Sequence, residues 1–288
     1  MLSLLFIDII TLLHYNSTCR PVKSVGLEGG THMDCGETKK HTACCREHFV
    51  MTEMPNIAAP NTPLRNGGPV VSIEFGDPKF TPVRSVVSRS RTRPTGKYPS
   101  WKMNRMLEWE SNSELLAFRL LDCDPKIRRF VEQPCEIVYI IGGETRRHYP
   151  DIYVEYQFEK QLWEVKDDSS ASEADLVART KLLTEGLKAH GFTYRLVLAS
   201  ELRKQPRLQN ANILLSHGRG SIEEIGRERV RLIIQRAGSL SWGGACAGEY
   251  GQNGRQILCR LILEGVLTTD MDQPLSANSL FRVAEGAR

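Results

Sequence analysis

The sequence predicts a mixed α/β protein with a second, mainly helical unit behind it. Two runs dense in β-branched and aromatic residues, Asp151 to Phe158 and Gln161 to Val165, flank Glu159-Lys160 as the arms of a hairpin would. Helical apolar stripes bracket them at 112–122 and 172–189, and a strand-like run, Thr193 to Leu198, follows. Beyond Arg203 to Pro206 the pattern changes to arginine-rich helices and two short apolar runs. Helix, antiparallel strands, helix, strand is the order of an α/β core with the hairpin at its centre.

With 288 residues, 41% of them apolar, the chain can bury two modest cores. Its net charge is only +4, but the charge is unevenly spread. No Asp or Glu lies between Asp77 and Glu108, an interval that holds Lys79, Arg84, Arg89, Arg91, Arg93, Lys97, Lys102 and Arg105. Such a basic arm suits a phosphate backbone, the alternative being a soluble linker. Cys123, Cys135, Cys246 and Cys259 fall in apolar segments as small core residues, which points to a reducing compartment. No apolar run approaches the ~20 residues that span a bilayer, so no membrane partner is expected.

Taken in order, residues 1–70 change character every few positions and are expected to form a poorly ordered extension. The opening MLSLLFIDIITLLHY is a poor signal peptide, because it lacks a basic lead and contains Asp8. Met33, Met51 and Met54 are alternative starts, and residues 1–53 are expected to be dispensable. Cys35, His41, Cys44, Cys45 and His48 have a spacing that fits no paired zinc-ligand pattern.

The arm at 72–105 is broken by Pro78, Pro82, Pro94 and Pro99 and should be extended or loop-like. Ser111 and Glu114 form a capping box that starts a helix at about 112, and Asp124-Pro125 stops it. Strands are expected at 128–133 and 135–141, with Gly142-Gly143 turning into 145–158. Gly191 closes the helix of 172–189. In the second unit, 222–236 is a basic amphipathic helix carrying Arg227, Arg229, Arg231 and Arg236 beside Ile222, Ile225, Val230, Ile233 and Ile234. A helix at 255–263 and short strands near 265–270 and 280–283 around a wing suggest a winged-helix module. The alternative is a small helical unit that only packs on the first. The expected divisions are 1–70, 71–204 and 205–288.

The hairpin carries the chemistry. Pro150-Asp151 is followed, after twelve residues, by Glu164-Val165-Lys166. Side chains alternate along a strand, so Glu164 and Lys166 point one way with Val165 behind them. Carboxylates gathered at such a point repel by about 4 kcal/mol per pair at ~4 Å and an effective dielectric of ~20. A hard divalent cation relieves that repulsion, and the lysine can orient or activate a water beside it. This is the pattern of the PD-(D/E)xK nucleases. Pro-Asp turns and exposed ExK strands are also commonplace, so the context has to decide.

The ordered run Ser111-Asn112-Ser113-Glu114, Asp122-Cys123-Asp124-Pro125, Phe130 to Pro134, His148-Tyr149-Pro150-Asp151 and Trp163 to Lys166 resembles the TnsA-type endonuclease subunit of heteromeric transposases. The resemblance covers residues 84–200 and continues more weakly through 205–285, where ILEGVLTTD and PLSANSL match that family's C-terminal unit. It implies a restriction-endonuclease-like core, a mixed sheet flanked by helices, followed by a winged-helix-like domain. Glu114, Asp151, Glu164 and Lys166 become the catalytic set. Glu114, Asp151, Glu164 and the Val165 carbonyl become the ligands of one or two Mg²⁺, with Mn²⁺ able to substitute. Glu164 stands where the family's pattern can carry glutamine. Gln133 matches the QP element as a supporting residue, and Glu110 is the rival to Glu114, whose capping role needs no chemistry. Arg84, Arg89, Arg91, Arg93, Lys97, Lys102 and Arg105 become phosphate contacts. The implied partners are double-stranded DNA at transposon ends, a DDE-type transposase and an AAA+ ATPase, in a prokaryotic cytoplasm at the nucleoid. A stand-alone restriction or repair nuclease is the nearest rival. A non-catalytic winged-helix DNA-binding regulator is the rival of another class.

Overall fold

The computed structural model describes residues 68–76, 83 and 94–286. The N-terminal expectations, including the Cys/His cluster and the alternative starts, therefore lie outside the described residues, as do Lys79, Arg84, Arg89, Arg91 and Arg93.

The chain is mixed α/β. Its strands and helices run β1 (Val70–Phe75), β2 (Gly96–Ser100), β3 (Arg105–Trp109), α1 (Asn112–Cys123), β4 (Ile127–Glu132), β5 (Cys135–Ile141), β6 (Glu144–His148), β7 (Ile152–Tyr156) and β8 (Lys160–Lys166). Then come α2 (Ala174–Gly186), β9 (Thr193–Leu198), α3 (Ala199–Leu202), α4 (Arg207–Gly218), α5 (Glu224–Ala237), β10 (Leu240–Ser241), α6 (Trp242–Ala247), α7 (Gly254–Leu263), β11 (Leu267–Thr268) and β12 (Leu280–Val283). No helix among the described residues is long and apolar enough to cross a membrane.

The central sheet has the order β4-β7-β8-β9, with β7–β8 antiparallel and β8–β9 parallel across the α2 crossover. A second sheet, β1-β5-β6, is antiparallel throughout. The expected strand at 145–158 is in fact two strands in different sheets, because Tyr149-Pro150-Asp151 bends the chain from β6 into β7. The neighbouring strand pair bends at the same level: Gln133 and Pro134 carry the chain from β4 into β5. Gln133 takes a left-handed backbone (φ 41°), and its amide donates to the Asp151 carbonyl at 2.9 Å. Asp151 thus sits at a corner that hydrogen bonds hold shut.

Part of the expected proline-broken arm is sheet. β1 pairs with β5, and β2 pairs with β3 in a separate two-stranded ribbon. Pro99 is accommodated there because a two-stranded ribbon is all edge, where a missing amide donor costs nothing in the ladder.

Strand alternation splits the core in two. Ile152, Val154, Trp163 and Val165 pack with Phe118 and Leu121 of α1. Tyr153, Leu162 and Tyr194 pack on the other face with Leu183 of α2 and Ile137 of β5. A third cluster gathers α4, α5 and α7 around Leu214, Val230 and Leu258, and it includes Cys123 from the end of α1. Residues on either side of position 204 therefore share one core.

The C-terminal unit closes on a small sheet of order β10-β12-β11. The face of α7 is buried against α4. A side chain added at Gly218 would come within 2.9 Å of the Cys259 carbonyl carbon and 3.0 Å of the Arg260 nitrogen. Two arginines of this unit also clasp the β2–β3 ribbon. Arg219 donates to the Tyr98 hydroxyl at 2.6 Å, and the Arg260 guanidinium stacks 4.9 Å from the centre of the Trp101 ring.

Candidate active site

Asp151, Glu164 and Lys166 meet where the β6–β7 corner faces the end of β8. The Val165 amide donates to Asp151 Oδ2 at 2.7 Å, which fixes the carboxylate against the strand that carries the other two groups. Lys166 Nζ lies 2.8 Å from Glu164 Oε1 and 3.6 Å from Asp151 Oδ2. Alternation along β8 turns Glu164 and Lys166 toward α2 and leaves Val165 in the α1 cluster, as its two-residue period requires.

Glu114 enters from α1 and is occupied with its own helix start. Ser111 Oγ accepts from the Glu114 amide at 3.2 Å, the Ser111 hydroxyl donates to Oε1 at 2.9 Å, and the Glu110 amide donates to Oε2 at 2.8 Å. Both oxygens are thus engaged in the cap. The expected convergence of three carboxylates is a close pair, Asp151 and Glu164, with the capped Glu114 near enough to act on Asp151 through its charge. Among the described residues no three of His, Cys, Asp and Glu already close on a single ion.

Three side chains not expected from the sequence complete the site. Arg179 of α2 donates to Glu164 Oε1 at 2.9 Å. His148 Nε2 lies 3.2 Å from Glu164 Oε2 and 3.0 Å from the Tyr194 hydroxyl. Arg179 stands fifteen residues beyond Glu164, and only the fold of the α2 crossover returns it to the strand. His148 does carry a local signal, its place three residues before Asp151, but a histidine there has no residue-level meaning without the sheet.

The electrostatics divide the two carboxyls. Burial, with the Glu164 charge close by, pushes Asp151 well above the usual carboxylate range. Burial pushes Glu164 the same way, but His148 and Lys166 outweigh it and hold that carboxyl at about 2. Burial alone would lower Lys166; Asp151 and Glu164 reverse that and raise it, so its ammonium is kept at neutral pH. Burial also raises Glu114. Asp151, a buried carboxyl that resists ionising, lies beside the ionised Glu164, whose Oε2 is buried without a hydrogen-bond partner among the described residues. Those residues fit a hard divalent cation.

The expected phosphate contacts fare differently. Arg84, Arg89, Arg91 and Arg93 lie outside the described residues. Lys97 pairs with Glu108 at 3.3 Å and remains half exposed. Lys102 donates its ammonium to the carbonyls of Leu121, Asp124 and Ile127, so it closes the C-terminal end of α1. Arg105 binds the buried Glu132 through both guanidinium nitrogens, at 2.7 and 2.5 Å. Lys102 and Arg105, expected as phosphate contacts, are thus engaged within the fold. Gln133 supports the corner through its backbone, as above.

No protein-family model matches this chain, and no curated protein matches it. Among solved structures it is similar to protein VC1899 from Vibrio cholerae, at 13% identity and a TM-score of 0.23. That similarity covers 35% of this chain and 32% of the other, so the chain spans about a third of that protein's length.

Proposed function

We propose that this chain is a Mg²⁺-dependent DNA endonuclease with a PD-(D/E)xK core, serving as the TnsA-type cleavage subunit of a heteromeric transposase. The observation that carries the reading is the meeting of Asp151, Glu164 and Lys166 at one sheet corner, with the ammonium 2.8 and 3.6 Å from the two carboxylates. Asp151 and the Val165 carbonyl, with Glu164 and Glu114 beside them, are the groups from which a cation would take its ligands. When bound, it would polarise a phosphoryl oxygen and acidify a water.

The protein's own residues do the rest. Lys166 orients the attacking water and offsets charge on the phosphate oxygens. Asp151, fixed by the Val165 amide, sets where the reacting phosphate sits relative to that ammonium. In-line hydrolysis would leave a 5′-phosphate and a 3′-hydroxyl on the non-transferred strand.

For the C-terminal unit, the order α5, β10, α6, α7, β11, β12 supports a winged-helix reading. The helix that would enter a DNA groove in that fold is α7, and here it is covered by α4. The unit is therefore better suited to docking than to reading bases. The exposed side of α5, with Ile225 and Leu232 set among arginines, suits a transposase or ATPase partner better than phosphates alone.

The test is incubation of the purified chain with duplex DNA and Mg²⁺, with and without a cognate transposase, followed by end-group analysis. The reading predicts ligatable 5′-phosphates and 3′-hydroxyls, with cuts confined to one strand at the element end only when the transposase is present. Products with 3′-phosphates, or no cleavage in either condition, would refute it.

A further inference from the structure

Glu164 is 3% exposed, and the fold treats its two carboxylate oxygens unequally. Lys166 of β8 and Arg179 of α2 both come to Oε1, at 2.8 and 2.9 Å. A carboxylate oxygen accepts at about two lone-pair positions, so Oε1 is filled. Oε2 is buried and has no hydrogen-bond partner among the described residues. His148 Nε2 stands 3.2 Å from it, but the Tyr194 hydroxyl of β9 meets the same nitrogen at 3.0 Å. An imidazole nitrogen has a single outward position, a lone pair or a proton, and here the hydroxyl takes it. Asp151 is divided in the same way, with the Val165 amide and the Lys166 ammonium both on Oδ2. In reaching Oε1, Arg179 leaves its own Nε buried without a partner among the described residues. Unpaired buried polar atoms of this kind are costly, so their persistence needs a reason. A bound cation would supply it for Oε2.

We propose that Arg179 and Tyr194 are positioning residues that keep Oε2 of Glu164 open for the divalent cation, Arg179 by anchoring Oε1 and Tyr194 by engaging His148. This rests on the nuclease reading above and deepens it, because it names which oxygen of the hairpin carboxylate would hold the cation and what aims it. Without Arg179, the carboxylate is free to turn about its last bond and offer either oxygen to Lys166. Without the Tyr194 hydroxyl, Nε2 is released to donate to Oε2 and compete with the cation. Groups that touch the ligand and not the ion commonly act in this way.

The test is Mn²⁺ affinity, from the loss of the free-ion spin-resonance signal, with melting temperatures taken on the same preparations. Wild type is compared with Glu164→Gln, Arg179→Met, Arg179→Lys, Tyr194→Phe and the double variant of Glu164→Gln with Arg179→Met. Arg179→Met should weaken Mn²⁺ binding by about tenfold or more, although removing a positive charge beside a cation site would by charge alone tighten it. Arg179→Lys, which keeps a cationic donor for Oε1, should regain most of the affinity. Tyr194→Phe should weaken binding in the same direction by a smaller factor. The double variant should bind no more weakly than Glu164→Gln alone, because Arg179 acts through that carboxylate. Tyr194→Phe keeps the aromatic ring and its packing, and it decides the matter should Arg179→Met fail to fold. Wild-type or tighter Mn²⁺ binding by folded Arg179→Met or by Tyr194→Phe overturns the proposal while leaving the nuclease reading in place. So do an additive loss in the double variant and an Arg179→Lys protein no better than Arg179→Met. A wild-type chain that binds no Mn²⁺ overturns both.

Discussion

Asp122 offers the sharpest test of how the frame around the site is held. It is fully buried at the end of α1, the helix whose other end carries Glu114. Its carboxylate accepts from the Tyr98 hydroxyl at 2.8 Å, the Ser100 hydroxyl at 2.5 Å, and the Trp101 and Lys102 amides at 3.2 and 3.4 Å. Asp122→Ala strands the two amides and leaves both hydroxyls to find new acceptors. A buried donor left unpaired costs about 1–3 kcal/mol. The long Lys102 contact counts least, and the hydroxyls can rotate. Removing Asp122 also relieves the burial that pushes its own carboxyl above the usual range. The balance is a loss of about 3 kcal/mol, or about 6–12 °C in Tm for a unit of this size. Asp122→Asn keeps one acceptor oxygen but presents an NH₂ to the Tyr98 and Trp101 donors, and should cost about 2 kcal/mol. Urea and thermal melts followed by circular dichroism measure both. An Asp122→Ala protein within about 1 kcal/mol of wild type would show that these donors find partners elsewhere and that the hub is not what fixes α1 to the ribbon.

Three further outcomes are expected. Gly218→Ala gains about 1 kcal/mol of helix propensity but drives a methyl into α7 backbone, which cannot give way as a side-chain tip can. A net loss of about 1–2 kcal/mol in a urea melt is expected, and a stabilised variant would show that α4 and α7 part easily. Arg105→Ala leaves Glu132, 1% exposed, without its bidentate partner. It should cost about 3–5 kcal/mol of stability, and loss of DNA affinity with normal stability would instead return Arg105 to the phosphate contacts. Glu264 is pushed up by burial but held below the usual range by Arg227 and Arg260, at 2.7 and 2.6 Å. A depressed carboxyl stabilises the fold above its unfolded value and ceases to do so as pH falls through the folded one. Glu264→Gln should therefore cost about 1–2 kcal/mol at pH 7 and progressively less as pH falls below the ordinary carboxylate range; a gap that stays constant into acid would mean packing, not charge.

What could be read from the sequence follows the range of the forces involved. The start of α1 was legible because capping is local: Ser111 and Glu114 name it by themselves. The hairpin and β9 were legible because period-two alternation is local too. The β1 and β2–β3 strands were hidden because their partners, β5 for one and a proline-bearing edge for the other, are set by tertiary pairing. The same holds at the site. Asp151, Glu164 and Lys166 could be named from spacing along one hairpin, whereas Arg179 and Tyr194 arrive through the α2 crossover and a parallel strand. The bonds that Lys102 and Arg105 make within the fold were hidden for a related reason. A run of basic residues shows charge but not the buried carbonyls and carboxylate that absorb it.

The central claim, that Asp151 and Lys166 carry Mg²⁺-dependent phosphodiester cleavage, is tested most directly by one comparison. Strand cleavage of labelled duplex DNA in Mg²⁺ is measured for wild type, Asp151→Ala and Lys166→Ala, with melting temperatures taken on the same preparations. The account predicts a loss of about 10²-fold or more in each variant with the fold retained. Cleavage by folded Asp151→Ala protein at near the wild-type rate would contradict it.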